Sequence, residues 1–181
     1  MRVIGLDPGS RHLGWGILER IGSRVEHIAH GVIDTPEKDT IAARLVIIDD
    51  ALAAVLEHHR PAAAAVEAIF YAKDAQAAAK LGHARGVVLL RLARAGLPMH
   101  EYPPARVKRA VAGNGMATKE QVQATMTQML RLAEPPRLDA SDALANAFAH
   151  LAMAPFQEAM ARMGIALPPR GRAARRRTLP R

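Results

Sequence analysis

The sequence predicts an α/β domain in which helices cover a mixed β-sheet. Three observations point there. Apolar runs and helical repeats follow one another in the order βββαβαβααα, and alternating strands and helices build layered α/β folds. The chain has 181 residues, half of them apolar, so one domain can bury roughly 70% of its unfolded surface. It has no Cys, which excludes disulfide staples, a thiolate zinc site and a Cys nucleophile.

Each element has its own signal. Arg2 to Leu6 is a short apolar run closed by the turn tetrapeptide Asp7-Pro8-Gly9-Ser10. Leu13 to Glu19 and Val25 to Ile33, split by Ile21-Gly22-Ser23, complete an antiparallel meander of three strands. Ile41, Leu45, Ile48, Leu52, Val55 and Leu56 recur at helical spacing between Thr40 and His59, and Pro61 ends that helix. Ala62 to Val66 is expected as a buried strand by its length and its position between helices, although Ala favours strands poorly. A long helix over Lys73 to Ala95 stops at Gly96-Leu97-Pro98, and a fifth strand follows at Met99 to Tyr102. Arg106 to Ala112, Lys119 to Leu132 and Asp139 to Met153 read as helices, separated by Gly113-Asn114-Gly115 and Glu134-Pro135-Pro136. The pattern weakens after Pro155, so a body over 1–155 and an extension over 156–181 are expected, the latter ending in a mobile Arg-rich tail.

The formal charge of +8 is unevenly placed. Six of the 25 bases lie between Arg170 and Arg181 with no acid among them, leaving nineteen against 17 acids in the rest of the chain. A basic tail suggests a polyanion partner. No apolar run approaches the roughly 18 residues that span a bilayer, and the five-residue apolar start is too short for a secretory signal. A cytoplasmic protein is expected.

Four carboxylates stand in unusual places. Asp7 ends the run Val-Ile-Gly-Leu, where Asp-Pro-Gly also makes an ordinary turn. Glu67 is the only charged side chain between Arg60 and Lys73, at the end of a buried run; it either turns to solvent or needs a partner. Asp139 and Asp142, three residues apart, share one helical face. They also suit an N-cap and a first-turn acid. If the strand at Ala62 lies parallel to a central first strand, Asp7 and Glu67 meet at the carboxyl edge, where α/β sites form. A terminal helix docked there would add the other two. Four carboxylates converge only around cations, and oxygen ligands suit Mg²⁺ or Mn²⁺. Two such ions about 4 Å apart would stabilise the attacking and leaving oxygens of a phosphodiester.

These residues carry a resemblance. Asp7-Pro8-Gly9-Ser10 with Gly14-Trp15-Gly16, and Glu67 with Phe70 and Ala72-Lys73, resemble the RuvC family of Holliday-junction endonucleases. So do Lys80-Leu81-Gly82-His83-Ala84-Arg85-Gly86 and Asp139-Ala140-Ser141-Asp142-Ala143-Leu144-Ala145, in order from Met1 to about His150. The resemblance implies a ribonuclease-H-like fold, a five-stranded mixed sheet flanked by helices. It also implies that Asp7, Glu67, Asp139 and Asp142 are the catalytic acids and metal ligands, with Asp7 bridging two ions of Mg²⁺ or Mn²⁺. Water then attacks phosphorus in line, with no covalent enzyme intermediate. Phe70, Lys108 and Lys119 correspond to DNA-binding positions, Phe70 as a stacking wedge at the junction. Tyr71 stands where the family more often has Met or another apolar residue. The implied partners are four-way junction DNA and the RuvA–RuvB branch-migration complex.

Two opposed nicks at a four-way junction call for a homodimer with two-fold symmetry. Ala75, Ala79, Gly82 and Gly86 form a small-residue stripe, suited either to a partner helix or to close packing on the chain's own sheet. His150 would approach the acids only if the last helix continues past them. Rival readings are an actin-like or sugar-kinase ATPase, which needs a duplicated domain and a second Asp-x-Gly hairpin, and a non-catalytic DNA-architecture protein. A ribonuclease-H-like enzyme for another branched or hybrid substrate is a third.

Overall fold

The computed structural model describes residues 1–68 and 75–163. Its elements are β1 (Arg2–Asp7), β2 (His12–Ile21), β3 (Arg24–Asp34), α1 (Ile41–His59), β4 (Ala63–Glu67), α2 (Ala75–Arg94), β5 (Met99–Tyr102), α3 (Pro104–Ala112), α4 (Lys119–Met129) and α5 (Leu138–Arg162). The order is the one expected from the sequence. The five strands form one sheet ordered β3-β2-β1-β4-β5. β1 is antiparallel to β2 and parallel to β4, and β4 is parallel to β5, so the sheet is mixed.

Each face of the sheet carries its own core. Val3, Leu18, Ala63, Ala65 and Tyr102 pack with α3, α4 and α5 through Val107, Val122, Met126 and Leu144. Ile4, Leu6, Ile17, Ala64 and Val66 pack on the other face with α1 and α2 through Ile48, Leu52, Val88 and Leu92. Alternate residues of each strand therefore serve opposite layers. The alanines of β4 are buried because this strand lies inside the sheet with a helical layer on either side. Small side chains are what a doubly covered strand holds there, and strand propensity is overridden.

Caps fix the helix ends. Thr40 caps α1 and Thr118 caps α4, the latter in a reciprocal box with Gln121. Arg60 ends α1 in the left-handed region at φ 46°, donating its N–H to Leu56 O just before Pro61. Helix α3 begins at Pro104, two residues earlier than its apolar pattern suggests, because proline fits a first helical turn. Helix α5 runs past Met153 and through Pro155 to Arg162. The flanking Ala, Met, Gln and Glu are strong helix formers, which outweigh one missing N–H.

Candidate active site

Strand parity brings the first two acids together. Val3, Gly5 and Asp7 point to the α5 face of β1, and Ala63, Ala65 and Glu67 point to the same face of β4. The parallel register pairs Leu6 with Val66, so Asp7 and Glu67 end neighbouring strands at one edge. Glu67 is half-buried and borders one small cavity with Asp7 and another with Asp142, rather than turning to solvent.

Helix α5 reaches this edge because glycines let it. A Cβ on Gly5 would lie 1.8 Å from Ala143 O, and one on Gly14 would lie 1.9 Å from Asp139 O. A Cβ on Gly16 would meet the Leu144 side chain at 2.6 Å. Gly5 pairs with Gly16 and Asp7 with Gly14, so a bare backbone stripe crosses β1 and β2 beside the first acid. The helix backbone rests on that stripe. Asp139 lies in its first turn, while Arg137 O accepts the first helical bond from Ser141 N at 2.9 Å. Asp139 is therefore not the N-cap.

The acids feel one another. The Asp7 carboxyl is pushed up to about 7, first by burial and then by the charges of Asp142, Glu67 and Asp139, with Lys119 opposing. Glu67 is raised by burial and by Asp142, against Lys119, Lys108 and Arg85. Lys119 Nζ donates to Asp142 Oδ2 at 2.5 Å. Burial lowers the Lys119 pKa, but that bond and the charges of Asp142, Asp7 and Glu67 raise it overall. The cluster has excess negative charge, partly balanced by one ammonium group. Among the described residues, no three Asp, Glu or His side chains already surround one ion position.

The two lysines come from consecutive helices. Gly113 ends α3 at φ 71°, and Lys119 opens α4 immediately after its Thr118 cap. Lys108 and Lys119 line a cavity of about 60 Å³ with Glu67, Asp142 and Asn146. Phe70 and Tyr71 lie outside the described residues. His150 is buried elsewhere, with its Nδ1 2.7 Å from the Tyr102 hydroxyl and its ring 4.4 Å from that of His100.

Three further side chains emerge from packing. Arg85 of α2, 7% exposed, donates to Glu67 O at 2.6 Å and to Glu101 Oε1 at 2.5 Å. It is a buried cation holding the end of β4. Asn146 donates to Leu6 O at 3.1 Å, next to Asp7. Arg137 forks onto Asp34 at 2.6 and 3.0 Å and stands 4.0 Å from Asp139 Oδ2, while His12 meets Asp34 at 2.6 Å. The available signal was polarity out of place: Arg between Ala84 and Gly86, and Asn within Ala-Leu-Ala-Asn-Ala-Phe.

The cavities at the carboxylate edge are small, about 60 and 200 Å³. A larger groove of about 1070 Å³ lies elsewhere, between β3 and the loop leading into α5. A sheet edge of acids flanked by lysines, with cavities this small, suits a phosphodiester of a long polymer better than an enclosed small molecule.

Comparison with known proteins agrees with this geometry. The family model described as "Crossover junction endodeoxyribonuclease RuvC" matches residues 3–150. The chain is 63% identical over 177 residues to the protein of that description from Sorangium cellulosum (strain So ce56), covering 98% of this chain and 99% of that one. It is 49% identical over 150 residues to its counterpart in Geobacter sulfurreducens, covering 83% and 92%. Among solved structures, T. thermophilus RuvC in complex with Holliday junction substrate superposes with TM-score 0.79 and 37% identity, over 93% of this chain and 99% of that one. The yeast mitochondrial Holliday junction resolvase Ydc2, at TM-score 0.56 and 12% identity, shares the fold over 89% of this chain and 83% of its own. With its motifs in order along the matched span and near-complete alignment to such relatives, the chain belongs to the RuvC family of crossover junction endodeoxyribonucleases.

Proposed function

We propose that this protein resolves four-way DNA junctions by paired symmetric nicks, each a hydrolysis that leaves a 5′-phosphate and a 3′-hydroxyl. The observation that carries the reading is the gathering of acids at the sheet edge: Asp7 is raised to about 7, first by burial and then by Asp142, Glu67 and Asp139, while two lysines flank the opening. Membership of a nuclease family supports it, as does the superposable T. thermophilus protein in complex with Holliday junction substrate.

The family implies dependence on a divalent metal, and the residues fit one. The acids supply hard oxygen donors, and excess negative charge at Asp7 is what a cation relieves. Asp7, Glu67, Asp139 and Asp142 would hold Mg²⁺ or Mn²⁺, two per site. When bound, such ions supply Lewis acidity at the phosphoryl oxygens and lower the pKa of an attacking water. Lys119, tied to Asp142, meets a DNA phosphate once that carboxylate has another counter-ion. Lys108 borders the same cavity and holds the phosphate backbone as a point charge. Phe70 is assigned to stacking on an exposed junction base.

A second copy of the chain is the proposed cover for α2. Ala79, Gly82, Gly86 and Leu90 are exposed there, and a Cβ on Gly82 or Gly86 would meet nothing within 4 Å. Packing on the chain's own sheet therefore does not explain those glycines. The proposed setting is the cytoplasm, alongside the RuvA–RuvB motor. No helix among the described residues is long and apolar enough to cross a membrane. Residues 156–181 are proposed as an extension to the nuclease body, with the Arg tail adding salt-sensitive affinity for DNA.

The test is cleavage of four-way, forked and linear DNA with Mg²⁺, Mn²⁺ or EDTA, using wild type and Asp7→Asn. The wild type should cut the four-way substrate only with metal. Asp7→Asn should lose at least about 10³-fold in rate, since metal charge stabilisation amounts to several kcal/mol, yet retain junction binding. Cleavage persisting in Asp7→Asn would overturn the site, and a preference for forked DNA would overturn the substrate.

A further inference from the structure

We infer that Asn146 is an additional oxygen donor of the carboxylate site, its Oδ1 accepting from the hydration shell of the divalent cation held there. The inference rests on the metal-dependent reading above.

Asn146 is 2% exposed, deep under the sheet edge. It sits four residues after Asp142 and seven after Asp139, on the helical face that meets β1. Its amide has a fixed orientation. Leu6 O can only accept a hydrogen bond, so the nitrogen faces β1 at 3.1 Å and the oxygen faces the other way. That oxygen is buried without a hydrogen-bond partner. The Asn146 residue lines the same cavity of about 60 Å³ as Glu67, Asp142, Lys108 and Lys119. A cavity of that size admits a few waters.

A buried amide oxygen without a donor is destabilising, and folded chains seldom keep one. Here the cost falls beside four acids that themselves call for a cation. Neutral amide oxygens are ordinary partners of hard divalent ions and of their waters. Asn146 would serve twice: its nitrogen ties α5 to the residue before Asp7, and its oxygen adds a polar wall without adding negative charge. A fifth carboxylate would raise the mutual repulsion that already burdens Asp7.

The two halves of the side chain can be tested apart. Mn²⁺ binding to the full chain, without DNA, is followed by electron paramagnetic resonance for wild type, Asn146→Leu, Asn146→Asp and Asp7→Asn. Asn146→Leu should bind Mn²⁺ about 10- to 100-fold more weakly, the usual effect of losing an outer-shell partner. Its metal-free melting temperature should stay within about 3 °C of wild type, because the orphaned oxygen leaves together with the Leu6 bond. Asn146→Asp keeps an oxygen and loses the nitrogen, and should bind Mn²⁺ at least as tightly as wild type. If Asn146→Asp falls to the level of Asn146→Leu, the Leu6 contact is what matters and the inference fails. Unchanged Mn²⁺ affinity in Asn146→Leu, with weaker junction binding in EDTA, would assign the oxygen to the lysines and overturn it too. Wild type binding Mn²⁺ no better than Asp7→Asn would instead overturn the metal site itself.

Discussion

Helices α5 and α2 both touch the proposed site, and they do so in opposite ways. Helix α5 lies backbone-on-backbone over Gly5 and Gly14, where a single added carbon would fall within 2 Å of a carbonyl oxygen. Helix α2 presents Gly82 and Gly86 outward, where an added carbon meets nothing. Glycine in a strand thus positions acids on a partner helix, whereas glycine on a helix leaves a face open to another molecule. One helix delivers Asp139 and Asp142 with little freedom, and the other reaches the site through Arg85 and Leu81.

The sharpest way to break the contrast is the same substitution on both sides. Gly14→Ala should push Asp139 off the sheet edge and lower cleavage by about 10²-fold or more, the effect of roughly 1 Å of misplacement. It should also cost about 1–3 kcal/mol in stability, since only backbone can give way. Gly86→Ala should do the reverse in the monomer, stabilising α2 by about 0.5–1 kcal/mol. Sedimentation and thermal melts of the pair separate the outcomes, and a Gly86→Ala dimer as tight as wild type would remove the proposed interface from this stripe.

The α5 side should also be sensitive to pH. Asp7 binds its proton more tightly in the fold than in the unfolded chain, so between about pH 4 and 7 the folded state holds more protons. The Asp7 contribution to metal-free stability should fall as pH rises through that window, by up to about 4 kcal/mol. Asp7→Asn should remove the Asp7 share of the slope and leave that of Glu67. Below pH 7 the cation must displace that proton, so Mn²⁺ affinity should drop about tenfold per unit. Metal-free thermal melts across pH 4–7.5 check the first sign, and Mn²⁺ titration calorimetry across pH 5.5–8 checks the second.

The α2 side predicts a milder effect. Arg85→Met removes the clamp on Glu67 O and should slow cleavage about tenfold with junction affinity unchanged. Glu101, 41% exposed, can turn to water, so the stability loss should stay near 1–3 kcal/mol. A slowed rate in Arg85→Met at wild-type affinity, partly restored in Arg85→Lys, would mark positioning rather than general destabilisation.

Much of this was legible from sequence because it is local. A turn closing a short apolar run set Asp7 at a strand end, and a lone charge after five apolar residues marked Glu67. The spacing of Asp139 and Asp142 on one face needed only helical geometry. The boundaries of α3 and α5 were less legible, since proline at Pro104 starts a helix while Pro155 fails to stop one.

The sequence by itself determined the order of elements and singled out the four candidate acids, because these follow from apolar runs, 3.6-residue periods and charge among apolar neighbours. The tertiary structure alone decided how α5 meets β1 and β2, that Lys119 neutralises Asp142, that Arg85 holds Glu67, and that Asn146 ties α5 to Leu6 and keeps its oxygen buried without a partner. Those pairings join residues from 18 to 140 positions apart. They depend on which backbones can approach, and that is settled by steric fit between distant glycines and carbonyls, which no local period encodes.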